Sequence, residues 1–227
     1  MNREMEIYLR LYSIGINVST KKKRYEFTDI EKTLTLACEY LTEDKRILSL
    51  LLSWIETHGA RVNVERLRKI SADEKAAWIS LLAHFAIDCG FNRWKVLISR
   101  PKKEMANGQI ELAKSRIALK GEEKWSKGTG FLIPKGSEPI SEKYILGPSQ
   151  LATVNQHYKN KLIYGYNWRA DIITAIQAGA ENAFQAAKIS QASYEPAYRV
   201  CSDLKLAGVL KDAEFVFKRG DFKAVGY

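Results

Sequence analysis

The fold prediction depends on residues 168–208, WRADIITAIQAGAENAFQAAKISQASYEPAYRVCSDLKLAG. Apolar residues recur three and four positions apart in this stretch, which predicts three short amphipathic helices with tight connections. The first helix begins near Trp168, after an Asn167 side chain that can accept from the free amides of its first turn. Its predicted inner face consists of Trp168, Ile172, Ile173 and Ile176.

The second and third helices have the spacing of a helix-turn-helix. The second runs from about Asn182 to Ser190, and Gln191-Ala192 supplies the turn. Ser193 is the predicted cap of the third helix, which ends at Gly208. In the second helix we expect Phe184, Ala187 and Ile189 to face inward; in the third we expect Ala197, Val200, Leu204 and Ala207 to do so.

The following residues, VLKDAEFVFKRGDFKAVGY (209–227), alternate apolar and polar side chains around Gly220-Asp221. This alternation predicts a short β-hairpin. Its tip carries three basic side chains, Lys218, Arg219 and Lys223. An ordinary solvated hairpin with no ligand is the alternative interpretation.

The segment ASYEPAYRVCSDLKLAGVL (192–210) resembles the bacterial winged-helix family. In that family a small apolar residue and a Ser cap precede an Arg that lies between apolar core residues. A Leu, an Ala-Gly pair and a wing then follow. The resemblance covers only the C-terminal part of the chain. Cys201, where a larger aliphatic residue is common, and the acidic Glu195 near the helix start depart from the pattern.

The resemblance implies that the third helix enters a DNA major groove and that the wing contacts the flanking backbone or a minor groove. Arg199 would pair with guanine or phosphate, and the two tyrosines would pack on sugar or a thymine methyl. The implied DNA-binding residues on this helix are Ser193, Tyr194, Glu195, Tyr198, Arg199 and Ser202; those on the wing are Lys218, Arg219 and Lys223. A winged helix used only for protein packing is the alternative.

The net charge of +10 favours a polyanionic partner. Residues 91–161 contain 14 Lys and Arg against 6 Asp and Glu, so their charge is 14 − 6 = +8. The flanking regions are each close to neutral, at 14 − 13 = +1 for residues 1–90 and 8 − 7 = +1 for residues 162–227. If DNA is the partner, we expect the middle segment to supply phosphate contacts through Lys120, Lys124 and Lys127, with Trp125 available for stacking. A flexible basic loop is the alternative.

The expected fold class is mainly α. Capping-box spacing at Thr28–Glu31 and Ser71–Glu74, with an apolar helix between them, predicts an N-terminal helical domain over residues 1–90 for dimerisation or effector binding. Thr42 is the predicted cap of that apolar helix. Residues 91–161 predict a basic, loop-rich segment with short strands, and residues 162–227 the winged helix-turn-helix.

The composition argues against several other classes. We find no run of about 18 apolar residues, no signal-peptide core and no paired cysteine spacing, which predicts a cytoplasmic chain with reduced thiols and no membrane partner. His58, His84 and His157 match no ligand spacing, so no metal or cofactor is expected. We expect a partial positive charge on His58 at the end of its helix. Glu122-Glu123-Lys124 lacks a partner acid, which argues against an enzyme.

Three hypotheses follow. The first is a sequence-specific protein that binds double-stranded DNA, of the bacterial transcriptional regulator or DNA-binding antitoxin and repressor type, with a homodimer left open. The second is a non-catalytic accessory DNA-binding subunit of a defence or mobile-element system. The third is a nuclease that its winged helix targets to DNA.

Overall fold

A computed structural model describes residues 3–18, 23–41, 44–71, 75–98, 121–136 and 142–210. These residues are mainly helical, as the sequence predicts. The α-helices are α1 (Arg3–Ser13), α2 (Ile30–Ala37), α3 (Lys45–His58), α4 (Val64–Ile70), α5 (Lys75–Asp88), α6 (Pro148–Val154), α7 (Gln156–Tyr164), α8 (Trp168–Gln177), α9 (Ala183–Ser190) and α10 (Tyr194–Leu206). Short 3₁₀ helices span Cys38–Tyr40, Gly59–Arg61, Asn92–Leu97, Lys124–Ser126 and Glu142–Tyr144.

Strands are not formed by the described part of the middle segment, although the sequence predicts short ones there. Across the described residues, β-pairing is limited to two isolated antiparallel bridges, Ile16 with Ile145 and Glu122 with Pro134. The predicted wing, with Lys218, Arg219 and Lys223, lies outside the described residues, and so does Lys120.

The larger core is built around α3. Leu51, Leu52, Trp54 and Ile55 of this helix are fully buried, which agrees with the prediction of a central apolar helix. The indole Nε1 of Trp54 donates to the carbonyl of Ile14 at 2.7 Å, so the buried polar edge of the ring is satisfied. Helices α1 to α7 contribute to this core.

The N-terminal caps of α2 and α3 differ from the predicted ones. The cap of α2 is Asp29 rather than Thr28, and its carboxylate accepts from the Lys32 amide at 3.0 Å. The Glu31 carboxylate instead points into the protein interior, where it accepts from the Asn63 amide. Asp44 caps α3, while Thr42 and residues 72–74 lie outside the described residues.

A smaller core is formed by α8, α9 and α10. Ile172, Ile173 and Ile176 of α8 are buried against the alanines of α9, and α10 adds Ala197, Val200, Cys201 and Leu204. The predicted inward orientation of Phe184 is wrong, because its side chain is 67% exposed. The α9 face of Ala183, Ala186, Ala187 and Ser190 is buried instead, since small side chains allow close helix crossing. Ala207 also proves exposed.

The two cores meet across α7 and α8, which pack against each other. The domain boundary predicted at residue 161 falls inside α7, and Lys161 itself is completely buried. Within the part of the chain that the structure describes, no helix is long and apolar enough to cross a membrane.

Candidate nucleic-acid interface

Helix α10 presents an exposed aromatic and charged face. Tyr194, Glu195, Tyr198 and Arg199 are exposed, as the spacing predicts, while Ser202 is only half-exposed. Ser193, the predicted cap, is exposed as well. The rings of Tyr194 and Tyr198 lie 6.1 Å apart between centroids and are both 56% exposed. The opposite face of α10 is packed into the smaller core, so this outer face is held in a fixed orientation.

Arg199 is paired within its own helix. Its Nη2 donates to Oε1 of Glu195 at 2.5 Å, and both side chains are largely exposed. An exposed pair of this kind stabilises a helix by about 0.3–0.5 kcal/mol. Arg199 therefore leaves this partner at little cost when a stronger anion is available.

The start of α10 is only partly capped. Ser193 occupies the N-cap position, but its side chain makes no capping hydrogen bond. Pro196 lies in the first turn, where a backbone amide would have no hydrogen-bond partner within the helix, so its lack of one costs nothing. The preceding turn depends on Gln191, which adopts the left-handed conformation at φ 60°.

A cleft of about 330 Å³ opens between α4 and the start of α10. The amine of Lys69 donates to the carbonyl of Gln191 at 2.7 Å and lies 5.6 Å from the centre of the Trp168 ring. The residues that line the cleft are Glu65, Arg68, Lys69, Trp168, Ser193 and Pro196. The larger core thus contributes both cations of this cleft.

Buried charges connect the two cores beneath this surface. We call Asp29, Glu31, Arg66, Lys161 and Asp171, with His157 and Asn63, the buried ion cluster. Lys161 Nζ lies 2.9 Å from Glu31 and 3.0 Å from Asp171, while Arg66 binds Glu31 at 3.0 Å and also pairs with Asp29. The cluster therefore joins α2, α4, α7 and α8.

Arg66 extends this connection to the helix-turn-helix. Its Nε donates to the carbonyl of Ser190, the last residue of α9, at 2.7 Å. Asn63, the cap of α4, donates to Asp171 of α8 at 2.6 Å. Because α4 is bonded to both α8 and α9, it is held in a fixed position beside α10.

The electrostatics of the buried ion cluster favour its charged state. Burial alone would raise the pKa of Asp171, but Lys161 and the hydrogen bond from His157 outweigh it and hold that pKa well below its usual range. Burial would lower the pKa of Lys161, but Asp171 and Glu31 raise it above its ordinary value. The lysine therefore stays protonated although it is fully buried.

Asp29, Glu31 and His157 each offer a ligand atom, and these atoms lie within 4.8 Å of one another. The ring of His157 is already occupied, since Nδ1 accepts from the Ile30 amide at 3.1 Å and Nε2 donates to Asp171 at 2.7 Å. The carboxylates are likewise bonded to Arg66, Lys161 and backbone amides. This donor set fits a structural salt-bridge cluster.

Sequence reasoning missed the buried ion cluster. Its members come from four helices and are up to 142 positions apart, from Asp29 to Asp171 (171 − 29). Such pairs follow no local spacing, and a lysine or aspartate in a helix is by default expected to be solvated. The sequence therefore carried no signal for it.

The described part of the basic middle segment packs into the larger core. Lys124 and Lys127 are exposed, and the 3₁₀ helix that begins at Lys124 packs against α5. Trp125, which the sequence offers for stacking, instead packs edge-on against Phe85, with 5.3 Å between ring centroids. The Glu123 carboxylate is buried and accepts from the Gly136 amide at 2.8 Å, which is a structural role.

The expectation of a partly charged His58 is wrong. Burial lowers the pKa of His58 to about 4, so the ring is neutral at pH 7. Its Nε2 lies 2.9 Å from the Leu146 carbonyl and must donate to it, which leaves Nδ1 to accept from the Tyr158 hydroxyl at 2.8 Å. His58 therefore packs the larger core and takes no part in the exposed surface.

Comparison of the chain with models of protein families, with curated proteins and with solved structures finds no match.

Proposed function

We propose that this chain is a sequence-specific protein that binds double-stranded DNA through the exposed face of α10. The observation that carries the proposal is the division of α10 into two faces. Ala197, Val200 and Leu204 fix one face in the smaller core, and Tyr194, Tyr198 and Arg199 leave the other open. A helix held in this way can enter a major groove without rearrangement.

The side chains on this face have suitable chemistry for reading DNA. Arg199 can exchange Glu195 for guanine O6 and N7, and one bidentate contact of this type contributes about 1–3 kcal/mol of discrimination. The rings of Tyr194 and Tyr198 can pack on sugars or a thymine methyl. A regulator or repressor in the cytoplasm is the role that fits best, and the buried free thiols of Cys38 and Cys201 suit a reducing compartment.

A second candidate is an accessory subunit that holds DNA without sequence preference. The observation that favours it is the exposed charge of Lys124 and Lys127, within a segment of charge +8 (14 − 6 over residues 91–161). Lysines of this kind contact phosphates and give no base discrimination.

Selection of bound duplexes from a random pool by the full chain distinguishes these roles. We expect an enriched motif, and a palindromic motif would indicate that a homodimer binds two half-sites. Uniform recovery of all sequences would favour the accessory role. The double variant Tyr198→Ala, Arg199→Ala should lose the motif, while Arg46→Ala on α3 serves as a control for charge. If the chain retains no duplex at low salt, the proposal is wrong.

A further inference from the structure

We propose that Arg68 and Lys69, on α4 of the larger core, form a binding site for a phosphate of the DNA backbone beside α10. The inference rests on the proposed function and extends it, because it assigns a DNA contact to the N-terminal half of the chain. The sequence predicts phosphate contacts from the middle segment, the wing and Arg199, but none from α4.

The cleft has the composition that a backbone phosphate requires. Arg68 is exposed and makes no ion pair with any residue that the structure describes. Lys69 is oriented by its bond to the Gln191 carbonyl, which leaves two of its three amine hydrogens free to donate. Trp168 provides an apolar wall on which a deoxyribose can pack, and Ser193 adds a hydroxyl.

The cleft is also correctly placed for this role. Ser193 and Pro196, at the start of α10, form one wall, so a phosphate bound there lies next to the helix proposed to enter the groove. Phosphate contacts of this kind set the register of a protein on its duplex, while base contacts specify the sequence.

The backbone position of Arg68 is fixed by its neighbour on α4. Arg66, two residues earlier on α4, is buried and bonded to the Ser190 carbonyl and to Asp29 and Glu31. The buried ion cluster therefore holds α4 against the end of α9, so the helix backbone that carries Arg68 does not have to be ordered when DNA binds. A contact from a pre-positioned helix loses less free energy to ordering than one from a mobile loop.

Glu65 gives the proposal a distinctive test. Glu65 lines the same cleft one helical turn before Arg68 and Lys69, and its negative charge repels a phosphate. Removing this charge should strengthen binding to every duplex, whereas a purely structural cleft would show no such gain.

The experiment is a salt titration of the affinity of the full chain for one duplex, by fluorescence anisotropy. We expect Arg68→Ala to weaken binding to all sequences alike and to reduce the slope of log K against log salt by about 0.9, the value for one phosphate contact. Glu65→Gln should tighten binding. Arg46→Ala removes the same charge from the first turn of α3, which does not line the cleft, and should leave the slope unchanged.

The outcomes separate this inference from the proposed function. If the wild-type chain does not bind DNA, both fail. If it binds, and the variant Tyr198→Ala, Arg199→Ala weakens it while Arg68→Ala and Glu65→Gln match the wild-type slope and affinity, only the phosphate site is overturned. A variant that melts below the wild type is titrated below its own unfolding transition, so that only folded chains are compared.

Discussion

Lys161 shows what a single buried charge does in this protein. Its side chain is 0% exposed, and its amine lies between the carboxylates of Glu31 and Asp171. A buried ion is costly to desolvate, and removing one member of a buried pair leaves the others without compensation. Removing Lys161 is therefore expected to destabilise the whole buried ion cluster.

We expect Lys161→Met to reduce the free energy of unfolding by about 3–5 kcal/mol, because Glu31 and Asp171 would then face each other across a buried gap. Urea denaturation at pH 7 measures this. Lys159→Met, on the exposed side of the same helix, is the matched control and should change stability by no more than about 0.5 kcal/mol. Equal free energies of unfolding for the two variants would contradict a stabilising role for the buried lysine.

His58 links stability to pH. Its pKa is about 4 in the folded chain and 6.5 ordinarily, so between these values the unfolded chain binds a proton that the folded chain does not. The contribution of the neutral ring is complete above about pH 6.5 and is lost as the pH falls towards 4. Asp29 and Asp171, whose pKa values are depressed, lose their contributions only at lower pH.

Between pH 6.5 and pH 4 we expect His58 to account for a fall in stability of up to about 1.4 kcal/mol per pH unit. The measurement is the urea midpoint at a series of pH values for the wild type and for His58→Gln, whose slope should be flatter. His84→Gln is the comparison variant, since burial also lowers the pKa of that partly exposed ring. A His58→Gln slope as steep as that of the wild type would rule out this linkage.

At the scale of elements, local sequence patterns predicted where helices begin and end better than they predicted which side chains face the core. Asn167 caps α8 and α9 ends at Ser190, both as the sequence predicts, because caps and apolar spacing act within a few residues. Phe184 was wrongly placed in the core because hydrophobicity alone does not show that the small alanine side chains of α9 let the helices cross more closely. The exposed face of α10 was predictable from its own spacing, but the cleft was not, because α4 is distant in sequence.

The face of α10 gives the prediction at this scale. We expect Arg199→Ala to weaken binding to the selected duplex by about 1–3 kcal/mol and to relax preference at one base position. Its exposed ion pair with Glu195 contributes little to the free energy of unfolding, so the fold should tolerate the change. Anisotropy titrations on matched and single-mismatch duplexes measure both effects, with Arg46→Ala as control. Unchanged affinity with an unchanged melting curve would exclude this face from the contact.

For the whole molecule, the important arrangement is two apolar cores joined by charges. The larger core contains Cys38 and the smaller one Cys201, and both thiols are free and buried. The buried ion cluster lies between them, and α7 of the larger core packs against α8 of the smaller one. Because these connections are buried, opening one core exposes unpaired charges of the other, which predicts that the two cores unfold together.

Pulsed alkylation of Cys38 and Cys201 in urea, read by peptide mass spectrometry, tests this coupling in one chain. Burial raises the pKa of Cys38 to about 12 and that of Cys201 to about 11, so both thiols react slowly until their core opens. We expect one shared urea midpoint in the wild type.

In Arg66→Met, which breaks the bonds to Asp29, Glu31 and Ser190, Cys201 should become reactive at lower urea than Cys38, since the three-helix core is the smaller. Arg68→Met, exposed on the same helix, should keep the midpoints together. Separate midpoints in the wild type, or a shared midpoint in Arg66→Met, would show that the two cores are held together by something other than these charges.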